Sequence, residues 1–379
     1  MTFRSQPLLP RLALAAVAAL LLAGCSSSPD RPEPAALTSF SPSLPAKQVW
    51  KYELGAPAPH SVPALVGSEV ALASESGSVL VLDAGSGSLR WQARIDGRIA
   101  VGTGYDGEIA AVLTQGNELV ALAQGKELWR TRLAARAFTV PLVAGGRIFV
   151  LAGDRSLTAF DARNGARIWS QPARGTEPLI LQQPGVLTAV GNTLLAGIGG
   201  RLVGLNPNNG STRWAAPLAS PRGVHEIERL VDLVGPAARE QAQVCVRAFQ
   251  SAVGCVDAQR GALTWTKPAN GSAGLALAEG SVYGAEGNGR VMAWKADGGE
   301  VLWQSDLLLH RGLTAPLAAG RSIALGDAQG YVHVLARQDG KLLNRLATDG
   351  SAIVSAPLLA GNNLLVLTRK GVLHAWRPE

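Results

Sequence analysis

The chain has little of what most catalytic and metal centres are built from. It holds three cysteines, five histidines and two methionines. His60, His225, His310, His333 and His374 show no zinc spacing and have no cysteine at ligand distance along the chain. No Gly-x-Ser-x-Gly turn offers a serine nucleophile. No catalytic residue, metal ligand or cofactor is therefore assigned. Charged residues are only 17% of the chain, and the formal net charge of +7 contains no basic run interleaved with aromatics, so nucleic acid is not indicated. The apolar run from Leu12 to Ala23 has twelve residues, about 18 Å as a helix and short of the roughly 20 residues that span a bilayer.

That run has a different use. Arg4 and Arg11 precede it with no acidic residue, which makes a positive n-region followed by an apolar h-region, the pattern of an export signal over residues 1–24. It ends in Leu22-Ala23-Gly24-Cys25, which resembles a bacterial lipobox and implies a lipid on Cys25; Ser26 after the cysteine implies the outer membrane. One cysteine carrying more than one acyl chain anchors a protein without a transmembrane helix. From Ser26 to Ala46 stand six serines and five prolines, a composition that reads as a flexible tether over 25–46. Without the two signal arginines the mature chain carries +5, read as solvated surface charge.

Residues 47–379 carry an internal repeat. Gly-x-x-x-Trp recurs from Gly87 to Trp91, Gly125 to Trp129, Gly165 to Trp169, Gly210 to Trp214, Gly261 to Trp265 and Gly299 to Trp303. The tryptophans are separated by 38, 40, 45, 51 and 38 residues, the range of propeller blades. A seventh copy, Gly340 to Asn344, has lost its tryptophan. Within a unit, alternating apolar segments such as Val70–Ala73 and Val79–Leu82 are parted by a glycine turn, which predicts antiparallel strands. Asp83, Asp161, Asn206 and Asp257 each stand eight residues before a repeat tryptophan, where a short acceptor can hold the turn. An eighth unit begins near Val354 and stops at Glu379, one strand short. Val49 to Tyr52 stands at the right spacing to supply it, so the expectation is an eight-bladed, all-β propeller of four-stranded antiparallel blades, closed by its N-terminal strand.

Two local motifs are weaker. Gly102-Thr103-Gly104-Tyr105-Asp106-Gly107 matches the dinucleotide fingerprint in form, but Glu108–Leu113 after it reads as a strand where a helix is required, so it is taken as a turn. Cys245 and Cys255 flank a short turn, and in an exported chain a disulfide between them is permitted; two buried free thiols are the alternative.

The repeat resembles that of exported quinoprotein dehydrogenases, which makes a periplasmic quinone enzyme of the pyrroloquinoline type the alternative function. Those enzymes also carry an adjacent cysteine pair, calcium ligands and long insertions; this chain has no adjacent cysteines and little room for insertions. Three further segments resemble the BamB family of outer-membrane assembly lipoproteins: Glu226 to Leu233; Trp303 to Arg311 with Thr314 and Pro316; and Gly326 to His333. This resemblance implies a non-catalytic scaffold without cofactor in the BAM complex, held on the periplasmic face of the outer membrane by its lipid. Such a scaffold binds the POTRA modules of BamA and supports barrel insertion; whether it also binds unfolded barrel proteins directly is left open by the sequence. It implies a BamA-facing surface around blades four and five, with Leu179, Leu181 and Gln182 in one stretch and Glu226, Glu228, Arg229 and Asp232 in another. The family has arginine where Gln182 stands and aspartate where Val234 stands, which weakens the charged half of that surface here. The spacings of 45 and 51 put extra residues in these loops. Glu226, Glu228 and Asp232 alternate with Ile227, Leu230 and Leu233, as an apolar centre with an acidic rim would. The alternative has these aliphatic side chains folded back on the blades.

Overall fold

Strands form where the sequence alternates, and glycines turn the chain between them. The computed structural model describes residue 2 and residues 32–172, 181–220 and 230–379. The chain divides into Met1–Pro34, whose described residues form no strand or helix, and Ala35–Glu379, which holds the described secondary structure. Among the described residues, thirty-two strands pair into eight antiparallel sheets of four, and no helix forms.

The sheets are the blades of a propeller. Blade one covers 64–94, two 99–132, three 142–171, four 187–217, five 233–268, six 276–305 and seven 317–347; blade eight joins 358–378 to Ala46–Glu53. Ala46–Glu53 runs antiparallel to Val372–Pro378 with Trp50 opposite Ala375, so the two chain ends close the ring as expected. The middle strands are buried on both faces because each blade lies between two others: all six residues of Ile109–Thr114 are buried. The outer strands, such as Leu89–Arg94, are mostly exposed.

The repeat glycine and tryptophan meet across the seams. The Trp129 indole lies on Gly165 of the next blade, where a Cβ would stand 2.6 Å from the ring, and its Nε1–H donates to Ala162 O at 2.9 Å. Trp169 covers Gly210, Trp265 covers Gly299 and Trp303 covers Gly340 in the same way, and Trp50 closes the ring over Gly87. Gly210 has φ +74°, a conformation only glycine adopts without strain, so the turn demands the residue that the ring needs. Asp83, Asp161, Asn206 and Asp257 accept backbone N–H groups within these turns, as predicted.

Asn344 stands where blade seven lost its tryptophan. The turn that would receive an indole does not exist in blade eight, because its outer strand is Ala46–Glu53 and no hairpin joins it to Val372–Pro378. Asn344 Nδ2–H donates instead to Leu44 O at 2.8 Å, beside a cleft of about 430 Å³ between blades seven and eight.

Two sequence readings change and one left open is decided. Residues 35–45, read from composition as part of the tether, are hydrogen-bonded to the propeller at Leu309 and Leu343. Serine and proline content predicts what a segment can do alone and says nothing of a groove that receives it. Within the dinucleotide-like motif only the turn after Tyr105 is a turn; Gly102 to Tyr105 belong to the strand Ile99–Tyr105, packed between blades. Cys245 and Cys255, whose pairing the sequence left open, are directly opposed on adjacent strands and form a disulfide in blade five. Cys25 and residues 3–31 of the leader and tether lie outside the described residues.

Candidate functional site

The inner strands line an axial cavity of about 550 Å³ whose walls are small and apolar, including Val62, Pro141, Leu142 and Val354. Tyr105 is the one titratable side chain among the described lining residues. Burial, then the neighbouring Glu69 carboxylate, raise its pKa, so the phenol stays protonated and donates to Glu69 Oε2 at 2.6 Å. Such a wall offers neither a general base nor a cation for an anionic quinone. Cys245 and Cys255 are buried and ten residues apart, and no group of three metal-ligating side chains occurs among the described residues. The residues present therefore do not fit a quinone with its calcium.

A second place draws two loops together. The segment after blade three and the segment after blade four both pass the seam of blades three to five. Asp232 joins them: Oδ2 accepts the Leu181 N–H at 3.0 Å, and Oδ1 lies 3.3 Å from Arg155 Nη2. Arg155 projects from a hairpin of blade three with φ 67°. Behind this junction Gly185 N–H donates to Thr139 Oγ1 at 3.0 Å, and Gly185 bridges to Val234. Gly197 admits the Leu233 side chain so closely that a Cβ would stand 2.9 Å from it.

This geometry redistributes the predicted site. Leu181 and Asp232 are brought together; Leu181 is half-buried and Gln182 exposed. Asp232 is not a solvated rim charge, since its side chain is 16% exposed and that of Arg155 12%. Two loops converge there, and their backbone donor and the Arg155 cation both need an acceptor. Leu233, expected among exposed aliphatics, is buried in the seam, and Leu230 is half-buried. Leu179, Glu226, Glu228 and Arg229 lie outside the described residues. Arg155 was missed by sequence reasoning, because nothing local marks an arginine 77 residues from its carboxylate.

The other quoted segments meet at the seam of blades six and seven. Asp327 Oδ2 accepts from Arg311 Nε at 2.7 Å and lies 2.8 Å from His333 Nε2, all three side chains being buried. Thr314 Oγ1 accepts the Gly326 N–H at 3.0 Å. Burial raises the Asp327 pKa but is outweighed by hydrogen bonds from His333, the Tyr331 N–H and Arg311, so it lies below the usual carboxylate range. Burial holds the His333 imidazole below its ordinary value despite the pull of Asp327. The cluster holds two blades and the N-terminal segment together.

These features define an eight-bladed propeller with an uncharged channel and with loops drawn together at one seam. The family model described as "Outer membrane protein assembly factor BamB" matches residues 75–305 and 287–379. The chain is 38% identical to the protein of that name from Burkholderia pseudomallei, over 96% of this chain and 97% of the relative. It is 34% identical to that from Bordetella pertussis, over 93% of each. The crystal structure of BamB from Moraxella catarrhalis superposes with a TM-score of 0.80 at 26% identity, covering 88% of this chain and 99% of that one. The quinohemoprotein alcohol dehydrogenase of Comamonas testosteroni, at 14% identity and a TM-score of 0.65 over 88% of this chain and 76% of that one, shares the fold alone. The chain belongs to the BamB family of outer-membrane protein assembly factors.

Proposed function

We propose that this chain is a non-catalytic scaffold of the outer-membrane assembly machinery. It is anchored at the periplasmic face of the outer membrane by a lipid on Cys25 and docks the POTRA modules of BamA through the seam of blades three to five. The observation that carries this reading is the junction at Asp232, which fixes Leu181 and Gln182 on a rigid ring from which loops can be read by a partner. Leu181 supplies the apolar contact, while Arg155 and Asp232 act behind it as positioning residues. Residues 1–24 are removed as a signal, and 47–379 form the propeller that does the binding.

The test is affinity purification of the lipidated chain from membranes. BamA should co-purify with the parent. Leu181→Asp should leave the melting temperature unchanged and reduce capture at least tenfold, about 1.4 kcal/mol. Full capture by a folded Leu181→Asp chain would move the docking surface elsewhere; a quinone absorbance band with alcohol-dependent dye reduction would favour the dehydrogenase alternative.

A further inference from the structure

Residues 35–45 have the composition of a leash and the contacts of a clasp. Ala35 N–H donates to Leu309 O at 2.8 Å, and Ala35 O accepts from Arg311 Nη1 at 2.8 Å. Arg345 Nη1 donates to Thr38 O at 3.1 Å, and its guanidinium lies 5.1 Å from the centre of the Phe40 ring. The Ser43 and Leu44 N–H groups donate to Leu343 O, and Leu44 O accepts from Asn344. Ala35, Leu37, Phe40 and Leu44 are half-buried while Ala36, Ser39 and Ser41 are exposed, so one side of the segment rests on the ring. The grip at Ala35 is rigid, because Arg311 is itself held by the buried Asp327.

We infer that this clasp fixes where the lipid anchor leaves the propeller and turns the rim at Leu307 and Arg311 toward the bilayer. The inference rests on the lipid anchoring of Cys25 proposed above. Ten residues separate Cys25 from Ala35, and twenty-one would separate it from Ala46 if the segment ran free. The clasp thereby cuts the greatest reach the chain length allows from roughly 70–75 Å to roughly 33–36 Å. A unit of this length is roughly 50 Å across by the usual scaling of compact chains. The shorter leash therefore holds the blade-six rim within roughly 36 Å of the lipid, while the opposite rim, at blade two, is free to stand farther off by up to the width of the ring. Leu307, 48% exposed, stands on the near rim with its apolar side chain free to meet the interface.

The experiment places one dye on each rim of the lipidated chain, Leu307→Cys after blade six or Leu128→Cys on the outer strand of blade two, the native pair being sealed in the Cys245–Cys255 disulfide. Each is reconstituted in phosphatidylethanolamine/phosphatidylglycerol vesicles carrying a headgroup acceptor, recovered by flotation, and read by energy transfer. Transfer from position 307 should be at least twice that from 128. The release variant, Arg311→Ala with Phe40→Ala and Arg345→Ala, removes the side-chain grips at Ala35, Thr38 and Phe40 and should narrow the ratio toward one. Equal transfer from both positions in the otherwise native chain overturns the inference while leaving anchoring intact, as does an unchanged ratio in a release variant that melts normally. If the release variant melts early, the native pair of measurements decides alone. Failure of the lipidated chain to float overturns the anchoring reading, and this inference with it.

Discussion

Trp169→Ala tests whether the repeat tryptophans hold the ring. The indole is 9% exposed, covers Gly210, donates from Nε1 to Pro207 O at 2.9 Å and lies 6.0 Å from the Phe149 ring. Truncating a buried tryptophan costs about 3–5 kcal/mol. Ala35–Glu379 spans 345 residues; at about 2.1 cal/mol/K of unfolding entropy per residue the melting temperature should fall by roughly 4–7 °C. Gly210→Ala should also destabilise, because its Cβ would stand 2.6 Å from the indole. In the Trp169→Ala background that clash disappears and only the positive-φ strain of about 1–2 kcal/mol remains, so the two substitutions should be less than additive. Trp91 offers a contrast: only its Cβ, at 3.9 Å, approaches the space above Gly125, so Trp91→Ala should cost less. Calorimetric melting of the four chains of the cycle and of Trp91→Ala checks this. A Trp169→Ala chain melting within a degree of the parent, or a Gly210→Ala cost equal in both backgrounds, would refute the interlock.

Deleting residues 46–53 removes the outer strand of blade eight and the Trp50 cover of Gly87, and should lower the melting temperature and promote association through the bared edge of Val372–Pro378, read by light scattering; deleting 26–34 should do neither. Asp232→Ala leaves the Leu181 N–H without its acceptor and Arg155 without this carboxylate, and should cost about 2–4 kcal/mol with faster hydrogen exchange at Leu181; unchanged exchange there would show that the carboxylate does not hold the loop. Acid should destabilise the ring in two stages. The unfolded chain takes up a proton on His333 near pH 6.5 that the folded chain refuses, so stability falls as the pH drops from 6.5 through the lower folded pKa, with His60 and His374 acting in the same direction. Asp327 adds a loss below pH 3.8, and melting temperatures that stay flat from pH 7 to 5 would contradict the first stage.

Much of the architecture was legible from spacing. The glycine and tryptophan of each unit lie four residues apart because one hairpin must present both, and the spacing of Trp50 pointed to Val49 to Tyr52 as the outer strand of blade eight. The junction at Asp232 was half legible. Leu181 and Asp232 were named from a resemblance, but Asp232 was read as a rim charge, because burial depends on which loops converge on a carboxylate. The segment 35–45 was misread for the same reason.

The sequence by itself determined the blade count and the strand order within a blade, since these follow from local alternation and from turn residues of one repeat; the closure of the ring was read from the strand that the eighth unit lacks. Only the tertiary structure decided which polar residues are buried partners. Arg311 reaches Ala35 across 276 residues, Asn344 reaches Leu44 across 300, and Arg155 reaches Asp232 across 77. No periodicity encodes such pairs; they exist because a closed ring brings distant segments to one seam, where each desolvated charge or amide must find its complement.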